Sequence, residues 1–570
     1  MKKRWKVNPA NKELQEVLGK GLNILPLTAQ LLINRGLVTI DKAFCFLKPE
    51  LKNLHDPFLL KDMDRAVERV VTALGKREKI AVYGDYDVDG TTSTALVYLF
   101  LRELGADTSY YIPQRRNEGY GLNIEAIKKL HASGVKVIIT VDCGISNCEE
   151  AAYAKSLGID IIISDHHEVP VDLPPAFAVL NPKQSDCPFP FKGLAGVGVA
   201  FNLVIALRAR LREIGFFKGE VPNLKKYLDL VCIGTVADMV PLVDENRILV
   251  KFGLKELEAA TRPGLKALME ASGLKPGRCD TGNIAFQLAP RINAAGRLTD
   301  AVKAVRLLVT EDEKEAASLA DELNRENSAR QRIEEEILGQ AISMAGDAAD
   351  KGIVLALEGW HPGVIGIVAS RLADRFSKPV VMISLEGEVG KGSARGIKSF
   401  NILDGLRACA ERLERFGGHK AAAGLTIKKE NLEPFIGEFI RYVNSALGPE
   451  DLVPEIVLDA VVSLGEIDQR LIDEIESLQP FGVSNREPVL CITDAHIVAT
   501  EVVGSRHLRF KVRQKGCARS GIGFGLAGLH PIKGQGFGIA FSPYVDEWQG
   551  GRNLKLRIKD VKAECVNFLT

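Results

Sequence analysis

The 570-residue sequence has ten cysteines but no two of them form a Cys-x-x-Cys pair, so zinc-ribbon spacing is absent. Thiols scattered through so long a chain also argue against a disulfide-stapled scaffold, and a reducing, cytoplasmic setting is expected. No apolar run approaches the ~18 residues a membrane helix needs, so no membrane span is expected. The basic start Met1-Lys2-Lys3-Arg4-Trp5-Lys6 is not followed by an apolar core, so it does not read as a signal peptide. An excess of one charge is missing too: 74 Lys and Arg face 73 Asp and Glu, for a net charge of +1. Affinity for a polyanion would therefore have to come from local clustering. No internal repeat or low-complexity tract stands out. What remains is an ordinary globular composition, 46% hydrophobic and 26% charged, and a length that predicts roughly three or four domains.

Residues 1–70 read as a helical lead-in. Residues 78–165 alternate between strand and helix. Strands are expected at 80–84, 108–112, 136–142 and 159–164, with helices near 91–104, 123–133 and 147–157. That alternation predicts a parallel, doubly wound α/β sheet. The helix from Thr91 to Leu104 is apolar nearly all round, so it is expected to be buried. A mixed helical stretch to about 310 contains Leu194-Ala195-Gly196-Val197-Gly198-Val199 and Gly234-Thr235-Val236-Ala237-Asp238. From Glu311 to about Ala345 the chain is polar and free of proline, and reads as a long exposed helix spacing two domains. A second α/β unit opens at Gly352 and runs to about 447. The last ~115 residues are rich in strand patterns separated by glycine turns.

Acidic and imidazole groups stand where the expected strands end. Asp85-Tyr86-Asp87-Val88-Asp89-Gly90 follows Ile80–Gly84, Asp142 follows Val137–Val141, and Asp165-His166-His167 follows Ile161–Ile163. Ligands of open parallel sheets bind at the carboxyl ends of strands. One such Asp could be only a helix N-cap. Three Asp in five residues repel one another unless a cation neutralises them. Oxygen ligands with an imidazole suit Mg²⁺ or Mn²⁺ better than zinc. The Asp85-x-Asp87-x-Asp89-Gly90 spacing also fits the first half of a calcium loop, but the twelfth position, which needs a bidentate Glu, is Leu96.

These segments, in this order and with Asp238, resemble the four motifs of the DHH phosphoesterase superfamily. Gly417-Gly418-His419-Lys420-Ala421-Ala422-Ala423-Gly424 resembles the signature of its companion DHHA1 domain. The peptides Arg115–Gly121, Arg291–Arg297 and Gly359-Trp360-His361-Pro362-Gly363 narrow the likeness to the bacterial single-strand-specific 5′ exonucleases of that superfamily. The resemblance covers about residues 50–565. It implies that Asp87, Asp89, Asp142, His166 and Asp238 hold two divalent cations, Mn²⁺ or Mg²⁺. Asp85 and His167 would lie in or beside that shell, and Asp165 would orient an imidazole from behind. Asp142, central in the sheet, would bridge the ions. Catalysis would rest on Asp87, Asp89, Asp142, His166 and His167. Other branches of the superfamily have a His four positions before Asp87; here that place is Tyr83, so one ion would need a different ligand set.

The same resemblance implies a terminal-phosphate pocket at Ser393 and Arg395, with Arg297, Arg115 and His419 as further substrate contacts. The alternative for Arg115 and Arg116 is a solvated loop. Independently of any family, His507–Arg513 alternates strictly, which places Leu508, Phe510 and Val512 on one face and Arg509, Lys511 and Arg513 on the other. Leu554–Lys559 repeats the pattern. Basic outward positions can serve solubility and edge protection alone. Two such strands also suit an OB-like barrel whose cationic face tracks a single strand.

The expected layout is therefore an N-terminal helical extension (1–70), a DHH catalytic domain with a parallel sheet (71–310), a connecting helix (311–345), a second α/β domain of DHHA1 type (346–450) and an OB-like barrel (451–570). The expected activity is metal-dependent 5′→3′ hydrolysis of single-stranded DNA to 5′ mononucleotides in recombination and repair. Such an enzyme would be monomeric and would meet a single-strand-binding protein and a helicase. The alternatives are a superfamily phosphodiesterase acting on short oligoribonucleotides or cyclic dinucleotides, and a non-catalytic scaffold. The terminal basic strands argue against the first, and the intact acids against the second.

Overall fold

The structure is a computed structural model that describes residues 3–114, 118–119, 121–275, 277, 279–346, 349–546 and 553–563. It divides into two compact units. One combines Val7–Asn324 with the chain from Val457 onward; the other is built on Arg325–Ile456 with the N-terminal residues up to Lys6.

In the first unit, five parallel strands form one sheet: β1 (Lys79–Gly84), β2 (Thr108–Tyr111), β3 (Val135–Val141), β4 (Asp160–Ser164) and β5 (Ala178–Leu180), in the order β2-β1-β3-β4-β5. The side chains of β1, β3 and β4 are buried on both faces, which is why these strands read as unbroken apolar runs. Val82, Ile139 and Ile162 enter one core cluster and Ala81, Ile138 and Ile161 the opposite one. The short β5 was not expected. In register, Gly84 lies beside Val141, and Val141 beside Ser164. The next residues, Asp85, Asp142 and Asp165, therefore emerge level with one another on neighbouring strands ~4.8 Å apart. The order of strands reverses between β1 and β3, the place where doubly wound sheets bind ligands.

Helices α1 (Val88–Glu103) and α2 (Gly196–Glu213) pack on this sheet, α3 (Leu228–Ala237) packs on both of them and α4 (Asp244–Ala259) on α3, and α5 (Ala289–Leu298) follows a π turn at Ile284–Leu288. Helix α1 is buried over most of its length, as its all-round apolarity predicts. Helix α6 (Glu313–Ala345) differs from the exposed spacer the composition suggests. A continuous stripe of Ala316, Leu319, Ala320, Leu323, Asn327, Arg330, Glu334, Ile337, Ala341 and Ala345 is buried. Its middle is polar, with Arg330 Nη1 donating to Glu334 Oε2 at 2.7 Å and to Asn327 Oδ1 through Nη2 at 3.0 Å, so composition hides the stripe.

The second unit holds a mixed five-stranded sheet: β6 (Ile353–Glu358), β7 (Val380–Glu386), β8 (Val389–Arg395), β9 (Arg415–Gly418) and β10 (Ala422–Lys428), ordered β9-β10-β8-β7-β6, with α7 (Ile365–Phe376) packed on β7 and β8.

The C-terminal strands β11 (Leu490–Val503), β12 (His507–Gln514), β13 (Cys517–Gly523), β14 (Gly534–Asp546) and β15 (Asn553–Ala563) close into a barrel through β11–β14 pairing. The barrel core is continuous with the N-terminal helices, because Leu18, Leu31, Leu32 and Phe46 share a cluster with Ile475, Leu508, Phe510 and Phe541. Arg247 of α4 ties both to the parallel-sheet domain. Its guanidinium lies 3.8 Å from the Phe46 ring centre. It donates to Phe46 O (3.0 Å), Leu478 O (2.8 Å) and Ser477 O (3.1 Å). These are carbonyls at the C-terminal ends of two helices, which carry partial negative charge. Replacing Arg247 by Met should strand them and cost about 3–5 kcal/mol in urea unfolding of this unit. A loss below ~1 kcal/mol would show that Arg247 does not hold the three segments together.

Candidate metal centre and substrate contacts

Loop and helix geometry converge the acids. Asp87 caps α1, accepting from Gly90 N at 3.0 Å. Asp89, in the first turn of α1, accepts from Gly196 N (2.7 Å) and Val197 N (2.8 Å) at the start of α2. Asp142 sits at φ +61, in the left-handed region a non-glycine residue rarely occupies. Asp238 is the residue that ends α3.

His166 Nδ1 lies 3.0 Å from Leu194 O. A carbonyl only accepts, so Nδ1 carries the proton and Nε2 presents a lone pair. That Nε2 faces Asp142 Oδ1 at 3.2 Å, Asp238 Oδ2 at 3.5 Å and Asp89 Oδ2 at 3.8 Å. Burial holds the imidazole neutral, with its pKa lowered to about 4. Nε2 and Asp238 Oδ2 are buried without a hydrogen-bond partner among the described residues. Lone pairs aimed at one point are the arrangement a cation completes. Three ligand groups meet here: Asp142 with His166 and His167, Asp89 with His166 and Asp238, and Asp85 with Asp87 and Asp142, so that Asp142 stands in two of them. Burial, followed by repulsion from the neighbouring carboxylates, raises Asp89 to about 7 and Asp238 to about 9, and lifts Asp142 well above the carboxylate range. A divalent cation would relieve all three at once.

Asp165 is fully buried. Its Oδ1 accepts from the backbone N–H of His166 (2.7 Å) and His167 (3.0 Å) and lies 2.8 Å from His167 Nδ1, while Oδ2 accepts from Ile145 N (3.0 Å). It thus orients His167, and the carbonyl of Leu194 orients His166. Tyr83 is no ligand: its hydroxyl donates to Gly121 O (3.0 Å) and accepts from Asn123 Nδ2 (3.1 Å).

Two glycines at this centre carried no functional expectation. A Cβ on Gly196 would lie 2.7 Å from Asp142 Oδ1, and one on Gly234 would lie 3.0 Å from Asp89 Oδ1 and 2.4 Å from Thr92 Oγ1. Both stand in the small-residue peptides noted in the sequence, the one signal that could have marked them.

In the second unit, Arg395 donates to Ser370 Oγ (3.0 Å) through Nε and to Ser393 Oγ (2.9 Å) through Nη1. A Cβ on Gly366 would come within 2.9 Å of both Arg395 Nη2 and Ser393 Oγ. His419 is exposed on the β9–β10 hairpin, its N–H donating to Ala422 O at 2.8 Å. Arg297 is half-buried at the end of α5; Arg115 lies outside the described residues. On the barrel, Arg509, Lys511 and Arg513 point outward as expected, while Leu508, Phe510 and Val512 are buried. Arg509 pairs with Glu501 at 2.8 Å. The second basic strand is not the free cationic row its pattern suggests. Arg557 (2.9 Å) and Lys559 (3.3 Å) both pair with Glu487, and Lys555 pairs with Asp546. Those acids lie outside the alternating segment, so the pattern could not reveal them.

A switch-point cluster of carboxylates and imidazoles on this sheet defines a metal-dependent phosphoesterase of the DHH class. The family models agree: a DHH family N-terminal domain matches residues 79–235, a DHHA1 domain 349–445 and a RecJ OB domain 458–560. The chain is 39% identical to the single-stranded-DNA-specific exonuclease RecJ of Bacillus subtilis, over 98% of this chain and 71% of that protein. It is 36% identical to the RecJ of Escherichia coli over 96% and 98%. The crystal structure of Thermus thermophilus RecJ with Mn²⁺ superposes with a TM-score of 0.85 at 32% identity, covering 98% of this chain and 80% of that one. Its Mg²⁺ complex gives 0.80 at 31%, covering 98% and 78%. The chain belongs to the RecJ family.

Replacing Gly196 by Ala should push Asp142 aside and weaken Mn²⁺ binding about ten- to a hundredfold, measured by titration calorimetry. Unchanged affinity would mean that Asp142 is not held against α2.

Proposed function

We propose that the chain is a metal-dependent exonuclease on single-stranded DNA that works from the 5′ end, releases 5′ mononucleotides and serves recombination and repair in the cytoplasm. It would act as a monomer, alongside a single-strand-binding protein and a helicase. The observation that carries the reading is the pair of ligand clusters sharing Asp142. Asp89, Asp142, His166 and Asp238 are assigned to one cation site and Asp85, Asp87 and Asp142 to the other, with Mn²⁺ or Mg²⁺ as the occupant. Such a pair of ions, when bound, lowers the pKa of an attacking water and neutralises charge on the phosphoryl oxygens. The new bond joins water oxygen to phosphorus, and the bond from phosphorus to the 3′ oxygen of the terminal nucleotide breaks. His167, steadied by Asp165, is assigned a contact to the scissile phosphate.

Ser393 and Arg395 are assigned to the terminal 5′ phosphate, because a guanidinium already steadied by two hydroxyls presents its remaining donors in a fixed fork. Arg297, Arg115 and His419 are assigned to neighbouring phosphates. Arg509, Lys511 and Arg513 are assigned to the backbone of the incoming strand. Lys511 and Arg513 have no acidic partner among the described residues, which leaves their charge to the ligand. A phosphodiesterase for dinucleotides or short oligoribonucleotides would have little use for this barrel.

Digestion of end-labelled single strands tests the reading: mononucleotides should appear at once from the 5′ label alone and vanish with chelator. Asp142→Ala should abolish hydrolysis and leave DNA binding measurable; activity within tenfold of wild type would refute the shared-ligand assignment. Reversing Arg509, Lys511 and Arg513 to Glu should weaken long-strand binding and flatten its salt dependence by about 0.7 per lost contact. Cleavage of very short oligonucleotides should change much less, and equal losses on both would count against a separate binding module.

A further inference from the structure

One large apolar side chain stands out beside this machinery. Phe286, in the π turn before α5, is 82% exposed, although Ile284, Leu288 and Ile292 around it are fully buried. Isolated π turns occur disproportionately at functional sites. The helical run Thr281–Leu298 that carries it joins two parts of the substrate path within the first unit. At its end, Gly296 packs on the metal-site loop so closely that a Cβ would lie 2.5 Å from Tyr86 O. At its start, Thr281 Oγ1 donates to Phe481 O at 2.7 Å. There Asp280, Thr281 and Gly282 line a cavity of about 420 Å³ together with Tyr544 and Arg557 of the barrel. Arg557 sits 5.2 Å from the centre of the Tyr544 ring.

Phe286, Pro290, Asn293 and Arg297 recur at steps of four, three and four, which places them on one face of the run. Phe286 and Arg297 are then about 16 Å apart along the axis. That is roughly three to five nucleotides of a single strand at 3.4 Å or more per phosphate. Resting on the exonuclease reading above, we propose that Phe286 is a stacking platform for an unpaired nucleobase of the strand as it passes from the barrel to the metal centre. An aromatic face accepts any base, as a sequence-indifferent nuclease requires, and it is useless to a base locked in a duplex stack.

Full-length Phe286→Ala and Phe286→Trp proteins, assayed with 5′-phosphorylated strands of three and twenty nucleotides, test this. Phe286→Ala should raise KM for the long strand about tenfold. The trinucleotide, too short to reach the platform, should be cleaved as by wild type. Phe286→Trp should restore the long-strand KM. A 2-aminopurine placed four nucleotides from the 5′ end should be quenched on binding by wild type and by Phe286→Trp but not by Phe286→Ala. An unchanged long-strand KM in Phe286→Ala, an equal loss on the trinucleotide, or a change of oligomeric state on substitution would overturn the proposal. If wild type itself releases nothing from the 5′ end of either strand, it is the exonuclease reading that fails.

Discussion

The structure turns on mutual repulsion among carboxylates held at one edge of a parallel sheet. In-register strands deliver Asp85, Asp142 and Asp165 side by side, and the helix starts at Val88 and Gly196 lock Asp87 and Asp89 beside them. Water cannot reach Asp89 or Asp142 to screen the charge. Left alone, these groups would take up protons, as their raised pKa values show. A pair of dications would supply the compensation that protons otherwise would. The left-handed backbone at Asp142 is strain retained where two ligand groups meet.

The two histidines of the Asp165-His166-His167 segment are set apart by their partners alone. His166 gives its one proton to a backbone carbonyl, which cannot return it, and so offers a lone pair to the cluster. His167 leans on the buried carboxylate of Asp165, whose pKa burial tends to raise but whose bonds from His167 and Ile145 bring down. Adjacent residues of one type are thereby held differently: burial keeps His166 neutral, while at His167 the bond to Asp165 outweighs burial and raises the pKa to about 9. The barrel is anchored to the parallel-sheet domain through Arg247 and the shared N-terminal core.

Much of this was legible in the linear chain because it is local. Buried parallel strands announce themselves as unbroken apolar runs, and β1 to β4 fall within a residue or so of their expected bounds. The acids stand at the strand ends because a strand's carboxyl end and the following loop are contiguous in sequence. The alternation of β12 correctly divided Leu508, Phe510 and Val512 from Arg509, Lys511 and Arg513. Expectation failed where the deciding partner lies far off in sequence. Glu487 neutralises Arg557 and Lys559 from about seventy residues away. The buried stripe of α6 escaped notice because Asn327, Arg330 and Glu334 satisfy one another.

Residue identity by itself determined the class of chemistry: carboxylates and imidazoles in that order admit a hard divalent ion and exclude a structural zinc or a calcium loop. It also determined the parallel sheet, through continuous hydrophobicity, and the inward and outward faces of β12, through a period of two. Only the tertiary structure shows that Asp142 stands in two ligand groups at once, that Gly196 and Gly234 must lack side chains, and that Arg247 joins the barrel to the parallel-sheet domain. Those outcomes depend on distances between segments tens to hundreds of residues apart. Such distances are set by how helices and strands pack, and no local pattern records them.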